Sequence, residues 1–347
     1  MNAPLRRVLV RLPNPLGDAV MATPALRALR VGLPGAEIHL QGGAHHEGLL
    51  RGLESFDAFH PVRSSGLAGL RERTRALRTL SFDAALVLPD SPRSALDAFL
   101  ARIPRRIGYA RDPVRRRLLS EPLDPPRERG HRVPISMVER YLLPVRTLGL
   151  RDAGEALELR VHDEPRRRAR ERLAEAGVDP DGRFLLITPG AAFGPSKLWP
   201  PRHFAAAADD IQRRFGLHPV IAPAPSAEEV EVARRVAETT DAPCTLLEPE
   251  PDLEVFKALI EGAALLLSND TGPRHVAVAL GRPVITLMGS TDPRHTAHLL
   301  ERQRVLTEDV SCRPCGEKIC PIGDHRCLER LEPRRAVEAA GELLARS

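Results

Sequence analysis

Aromatic side chains make up only 3% of this 347-residue chain, and Tyr109, Tyr141 and Trp199 are its sole tyrosines and tryptophan. So few rings cannot build the stacking platforms of a single-strand nucleic-acid binder, and no nucleic-acid partner is expected. Lysine is also scarce, with positions 197, 257 and 318 standing against 48 arginines. Apolar runs are short, GAALLLS being typical, whereas a membrane-spanning helix needs about 18 residues or more, so an integral membrane protein is not expected. Arg6, Arg7 and Arg11 interrupt what would be the apolar core of an export signal, which points to the cytoplasm. Four of the five cysteines lie between residues 312 and 327, so there is no chain-wide disulfide framework, and a reducing compartment fits. No GxGxxG follows the first apolar run and no GxxxxGK[ST] occurs anywhere. Dinucleotide redox chemistry and P-loop hydrolysis therefore lack their phosphate cradles.

What is present points to two α/β domains. A length of 347 residues exceeds one ordinary hydrophobic core. Apolar runs such as RVLVRL (7–12), EIHLQGG (37–43) and FDAALVLPD (82–90) alternate with helical stretches, including one expected over 19–30. The Arg- and Pro-dense stretch 104–126 reads as irregular. Periodicity weakens near 150 and restarts with FLLITPGA (184–191), HPVIAPAP (218–225), ALLLSND (264–270) and PVITLMG (283–289), which predicts domains over 1–160 and 161–347. Both should be doubly wound parallel sheets, with ligands beyond the carboxyl ends of the strands. Charge divides unevenly between them. Residues 1–150 hold 24 arginines, no lysine and 14 acidic groups, a net +10, while the remainder is −5. The first half should attract an anionic partner.

Candidate chemistry follows the strands. After the first comes Gly17-Asp18, where glycine permits close approach and the carboxylate is either a helix cap or a general base. The glycine-rich loop TPGAAFGPSKLWP contains Gly190, Gly194 and Lys197. A compact ammonium there suits a phosphate better than a guanidinium fork does. In SNDTGPRHVAVALG, Asp270 ends a strand, Thr271 and Gly272 turn, and Pro273 is expected at the first helical position, so the amide end of a helix faces the ligand zone with His275 on its first turn. Ser226 and Glu229 have capping-box spacing, and Asp179-Pro180-Asp181 reads as a turn. Cys312, Cys315, Cys320 and Cys327 could close a tetrathiolate zinc knuckle, pair as a redox couple or remain free thiols.

The segments LPNPLGDAVMATPALRALR, FDAALVLPDSPRSAL, SMVERYL, TPGAAFGPSKLWP and SNDTGPRHVAVALGRPVITLMGSTDP, in that order, resemble family 9 glycosyltransferases, and among them the ADP-heptose:lipopolysaccharide heptosyltransferases of the type II branch. The resemblance covers residues 7 to about 295. It implies a GT-B fold of two Rossmann-like domains facing a cleft, the first binding acceptor and the second nucleotide-sugar. It further implies inverting transfer, with no metal required for catalysis, of heptose from ADP-heptose to a heptose on the inner core of anionic lipid A at the inner face of the inner membrane. The residue roles it implies are Asp18 as base with Gly17 beside it, and Lys197 on the diphosphate next to Gly190. Asp270, Thr271, Gly272 and His275 would hold heptose and phosphates, and Glu229, with Glu228 one step away, the ribose. This chain lacks the paired threonines that some relatives carry before the lysine, and the four-cysteine tail is not universal among them. Another donor sugar, a polysaccharide acceptor, or a non-catalytic nucleotide-sugar-binding module remain as alternatives.

Overall fold

The computed structural model describes residues 5–63, 66–128, 131–296 and 300–345. Two compact units divide the chain, Met1–Glu158 and Leu159–Ser347. In the first, strands β1 (Arg7–Arg11), β2 (Glu37–Gly42), β3 (Ala58–Pro61), β4 (Ala84–Val87), β5 (Arg105–Tyr109) and β6 (Glu121–Leu123) form a sheet in the order β3-β2-β1-β4-β5-β6. Every neighbouring pair in it is parallel. A small antiparallel ribbon, β7 (Arg127–Glu128) with β8 (His131–Arg132), follows.

The second unit repeats the plan with β9 (Phe184–Thr188), β10 (His218–Ile221), β11 (Thr245–Leu246), β12 (Leu265–Asn269), β13 (Val284–Leu287) and β14 (Gln303–Leu306) in the order β11-β10-β9-β12-β13-β14, again parallel throughout. These are the two doubly wound sheets of a GT-B chain. Parallel strands are covered by helices on both faces, which is why RVLV, FLLIT and LLLSN read as unbroken apolar runs. In each sheet the winding reverses between the first strand and the fourth, β1/β4 and β9/β12. The loops leaving those four ends are where an open α/β sheet leaves room for a ligand. They carry Asp18 and Asp90 in one unit, and Lys197 and Asp270 in the other.

Two local expectations are corrected. The helix expected over 19–30 is two, Leu16–Met21 and Thr23–Gly32, because Pro24 has no amide to continue the ladder and instead opens a new first turn. Thr23 Oγ1 seals the break by donating to the Val20 carbonyl, and it accepts from the Glu158 amide. The stretch 104–126, expected to be irregular, is β5, the helix Pro113–Leu118 and β6. Its arginines misled the reading because one of them points inward.

Arg115 is fully buried. It donates to the carbonyls of Tyr109 (2.5 Å), Ser91 (2.6 Å) and Val87 (3.1 Å) and to Ser94 Oγ (2.9 Å). Burial pulls its pKa down to about 10, so it remains charged at neutral pH. Arg115→Met keeps the length but strands several buried acceptors. Urea unfolding should show a loss of about 3 kcal/mol; a loss below about 1 kcal/mol would mean the carbonyls find other donors.

Candidate active site

In the second unit the site is built on β12. Asn269, its last residue, pins both ends of the loop after β9. Its amide Nδ2 donates to the Pro189 carbonyl (2.6 Å), and its Oδ1 accepts from the Trp199 amide (3.1 Å). Trp199 is buried against Phe204, and its indole donates to the Leu331 carbonyl at 2.9 Å. The loop between these anchors turns at Pro195–Lys197. Lys197 Nζ then reaches back to Asp270, donating to Oδ2 (2.7 Å) and to the main-chain carbonyl (3.0 Å). Phe193 lies 5.0 Å from the same ammonium, within cation–π reach.

Asp270 is only 4% exposed, and neither oxygen is idle. Oδ1 accepts from Arg274 Nη1 (2.9 Å), while Oδ2 accepts from Lys197 and from Thr291 Oγ1 (2.7 Å). Burial alone would raise this carboxyl's pKa, but the charges of Arg274 and Lys197 outweigh it and hold the group far below the ordinary carboxylate range. Asp270 is therefore not a helix cap. The N-cap of Gly272–Ala279 is Thr271, which makes no side-chain cap, and Pro273 sits second rather than first. The amides of Gly272 and Arg274 consequently lie in the first turn, where a helix offers no acceptor of its own. His275, 5% exposed, is on the same turn.

Glu229 and Gly190 meet. A Cβ on residue 190 would overlap the Glu229 carboxylate, so a larger residue there would require that side chain to swing away. Ser226 Oγ caps the helix Ala227–Thr239 by accepting from the Glu229 amide (3.2 Å). The other half of a capping box is missing, because the Glu229 carboxylate accepts from the Ala224 amide instead. Burial, then the Glu228 charge, pushes its pKa up. Glu228 itself is exposed.

In the first unit, Gly17 is buried and Asp18 is half-buried in the first turn of Leu16–Met21, whose N-cap is Pro15. Asp18 is thus inside the helix rather than capping it. The fully enclosed Tyr141 phenol is raised well above its usual range, by burial first and by the Asp18 charge next. Sequence reasoning passed over two neighbouring charge clusters. Asp90, after β4, accepts from Arg140 Nη2 (2.6 Å) and pairs with Arg111 (2.9 Å). Arg140 also lies 3.9 Å over the Tyr109 ring. Asp97 accepts from Arg73 (3.1 Å) and from Gln41 (3.1 Å), and its charge supports the half-buried Arg11 at the end of β1. The signal for Asp90 was visible as the Pro-Asp pair closing a strand.

The four-cysteine segment packs on the Lys197 loop. Ser196 donates its amide to the Lys318 carbonyl (3.1 Å) and its hydroxyl to that of Glu317 (2.5 Å), while Arg313 donates to the Gly289 carbonyl (2.6 Å). Cys312, Cys315, Cys320 and Cys327 line one small cavity together with Ser196, Ser290 and His325. All four are free thiols. Thiols are suitable ligands for a soft metal. Among the described residues, however, no three His, Cys, Asp or Glu side chains are placed to hold an ion, so the arrangement does not fit the structural zinc that the spacing allowed. No helix among the described residues is long and apolar enough to cross a membrane.

The model of glycosyltransferase family 9 (heptosyltransferase) matches residues 70–325. The chain belongs to glycosyltransferase family 9. It is 28% identical to lipopolysaccharide heptosyltransferase 2 of Salmonella typhimurium, over 98% of this chain and 99% of that one. It is also 28% identical to lipooligosaccharide heptosyltransferase 2 of Haemophilus influenzae, with the same coverage. Among solved structures, the E. coli ADP-heptose lps heptosyltransferase II matches with a TM-score of 0.80 at 26% identity, covering 98% of this chain and 99% of its own. A family 9 glycosyl transferase from Veillonella parvula shares the fold at TM-score 0.87 and 23% identity, over 100% and 99% of the two chains. This family 9 member is a glycosyltransferase.

Proposed function

We propose that this glycosyltransferase moves a heptose from ADP-heptose to a heptose already on the lipopolysaccharide inner core, inverting the anomeric centre with no metal in the step. The observation that carries the reading is the cationic corner at β9/β12. Lys197 and the uncapped first turn of Gly272–Ala279 leave from the two strand ends where an open α/β sheet takes its ligand. Support for the sugar and the acceptor comes from the relatives named for those activities.

The step is a single displacement. Asp18 takes the proton of the acceptor hydroxyl as its oxygen bonds to the anomeric carbon, and the bond from that carbon to the diphosphate breaks. The transition state is oxocarbenium-like, and negative charge grows on the departing diphosphate. Lys197 and the amides of Gly272 and Arg274 meet that charge, with His275 as a further contact and Thr271 completing the turn. Gly190 admits Glu229 beside the loop, and the Glu229 carboxylate takes the ribose. In this reading the first unit binds acceptor and the second binds donor.

The test is incubation with ADP-, UDP- and GDP-sugars and truncated core lipids, followed by mass spectrometry. A heptose increment on the lipid with ADP-heptose alone is the expected result. Transfer from another donor would move the substrate assignment, and ADP binding without any turnover would make the protein a binding module.

The acceptor is anionic, and the first 150 residues carry a net +10. We place the enzyme peripherally on the inner face of the inner membrane through that charge. Association with vesicles containing anionic lipid should fall steeply between about 50 and 300 mM salt, where the screening length shrinks. Flotation that is indifferent to salt would exclude electrostatic docking.

A further inference from the structure

Arg274 has no part in the chemistry described so far beyond its main-chain amide, yet it is a guanidinium at zero exposure, a costly thing to bury. One turn of chain separates it from Asp270, and its Nη1 donates to Oδ1 at 2.9 Å, while its Nη2 donates to the Thr296 carbonyl at 2.8 Å. Its Nε is buried with no acceptor among the described residues. The charge it brings changes the balance at the donor corner. Asp270 and Lys197 alone would be a closed neutral pair, 2.7 Å apart and with side chains only 3% and 13% exposed. A neutral pair in a dry corner has little attraction left for a phosphate, because each charge is spent on the other at short range. With Arg274 on the opposite carboxylate oxygen, the trio carries a net +1, and the carboxylate is shared rather than owned by the lysine. Thr291 Oγ1 shares it further, donating to the same Oδ2 that Lys197 uses.

We propose that Arg274 is a positioning residue that shares the Asp270 carboxylate with Lys197, so that the carboxylate's charge is not committed to the lysine alone and the Lys197 ammonium keeps attraction for a diphosphate. The inference rests on the reading of Lys197 as the diphosphate contact. Arg274 acts through Asp270 and touches no phosphate with its side chain. Its work is therefore invisible to a ligand that has no diphosphate, and it disappears when the lysine is gone.

The experiment is a double-mutant cycle read by calorimetric binding of ADP and of adenosine to the full chain, using wild type, Arg274→Met, Lys197→Ala and the double variant. Arg274→Met should weaken ADP about tenfold and leave adenosine unchanged, and in the Lys197→Ala background it should add less than about twofold. Arg274→Lys, which restores a cation, should recover part of the ADP affinity. Thr291→Val, at a half-buried loop position, relieves the same carboxylate oxygen of its second donor and should weaken ADP about threefold; it answers the question if Arg274→Met does not fold. Unchanged ADP affinity in Arg274→Met or in Thr291→Val overturns the proposal. So does a full tenfold effect that survives in the Lys197→Ala background, since a purely structural role adds to the lysine's loss. A wild-type chain that binds no ADP removes the donor reading and this inference together, whereas wild-type binding with indifferent variants removes this inference alone.

Discussion

Asp18→Asn is expected to cut turnover by about 10²- to 10⁴-fold while ADP affinity stays within about twofold of wild type. The amide has the size and polarity of the carboxylate but cannot take a proton, so the substitution isolates the base function from packing. The position supports the expectation. Asp18 lies in the first turn of the short helix Leu16–Met21 that leaves β1 at the reversal of the first sheet, and the N-cap of that helix is Pro15, not Asp18. A capping role would have made the residue a stability device, and the substitution would then show in melting rather than in rate. Single-turnover transfer to a truncated core lipid, alongside ADP calorimetry, separates the outcomes. Loss of donor affinity equal to the loss of rate would take Asp18 out of the base role, and near-normal turnover would mean that another group accepts the proton.

The sheets and the corners were legible, and the partnerships inside the corners were not. RVLV and FLLIT announce themselves because a parallel strand covered on both faces must be apolar at consecutive positions. The loops after them followed from the rule that ligands sit beyond strand ends, and Lys197 stood out in a chain that otherwise uses arginine. Stretch 104–126 was lost because a count of arginines treats each as solvated, and Arg115 instead ties β4 to β5 through their carbonyls. The partners of Asp270 come from positions 4, 21 and 73 residues away, a set that no local pattern encodes. The cysteine segment gave a ligand-type spacing, but its attachment to the Lys197 loop runs through the Glu317 and Lys318 carbonyls, which accept from Ser196 across 121 and 122 residues of chain. Spacing reports what side chains could do together; packing decides what they do.

Lys197→Ala should lower the rate by about 10²- to 10³-fold, because one preorganised cation is removed from the place where charge develops on the leaving group. It should also weaken ADP, since the diphosphate already carries charge in the ground state, so both kcat and the donor KM move. That pattern differs from the Asp18 pattern, in which only kcat moves. Lys197→Arg is the sharper substitution. It conserves charge, but a guanidinium facing Asp270 can pair with the carboxylate through two parallel hydrogen bonds, where the ammonium now makes one at 2.7 Å and one to the main chain at 3.0 Å. The fork would commit the cation to Asp270 and withdraw it from the phosphate, so Lys197→Arg should recover less than about a tenth of the wild-type rate even though net charge is unchanged. Full activity in the arginine variant would show that the corner asks only for a positive charge and that the point-like ammonium has no special part in meeting the diphosphate.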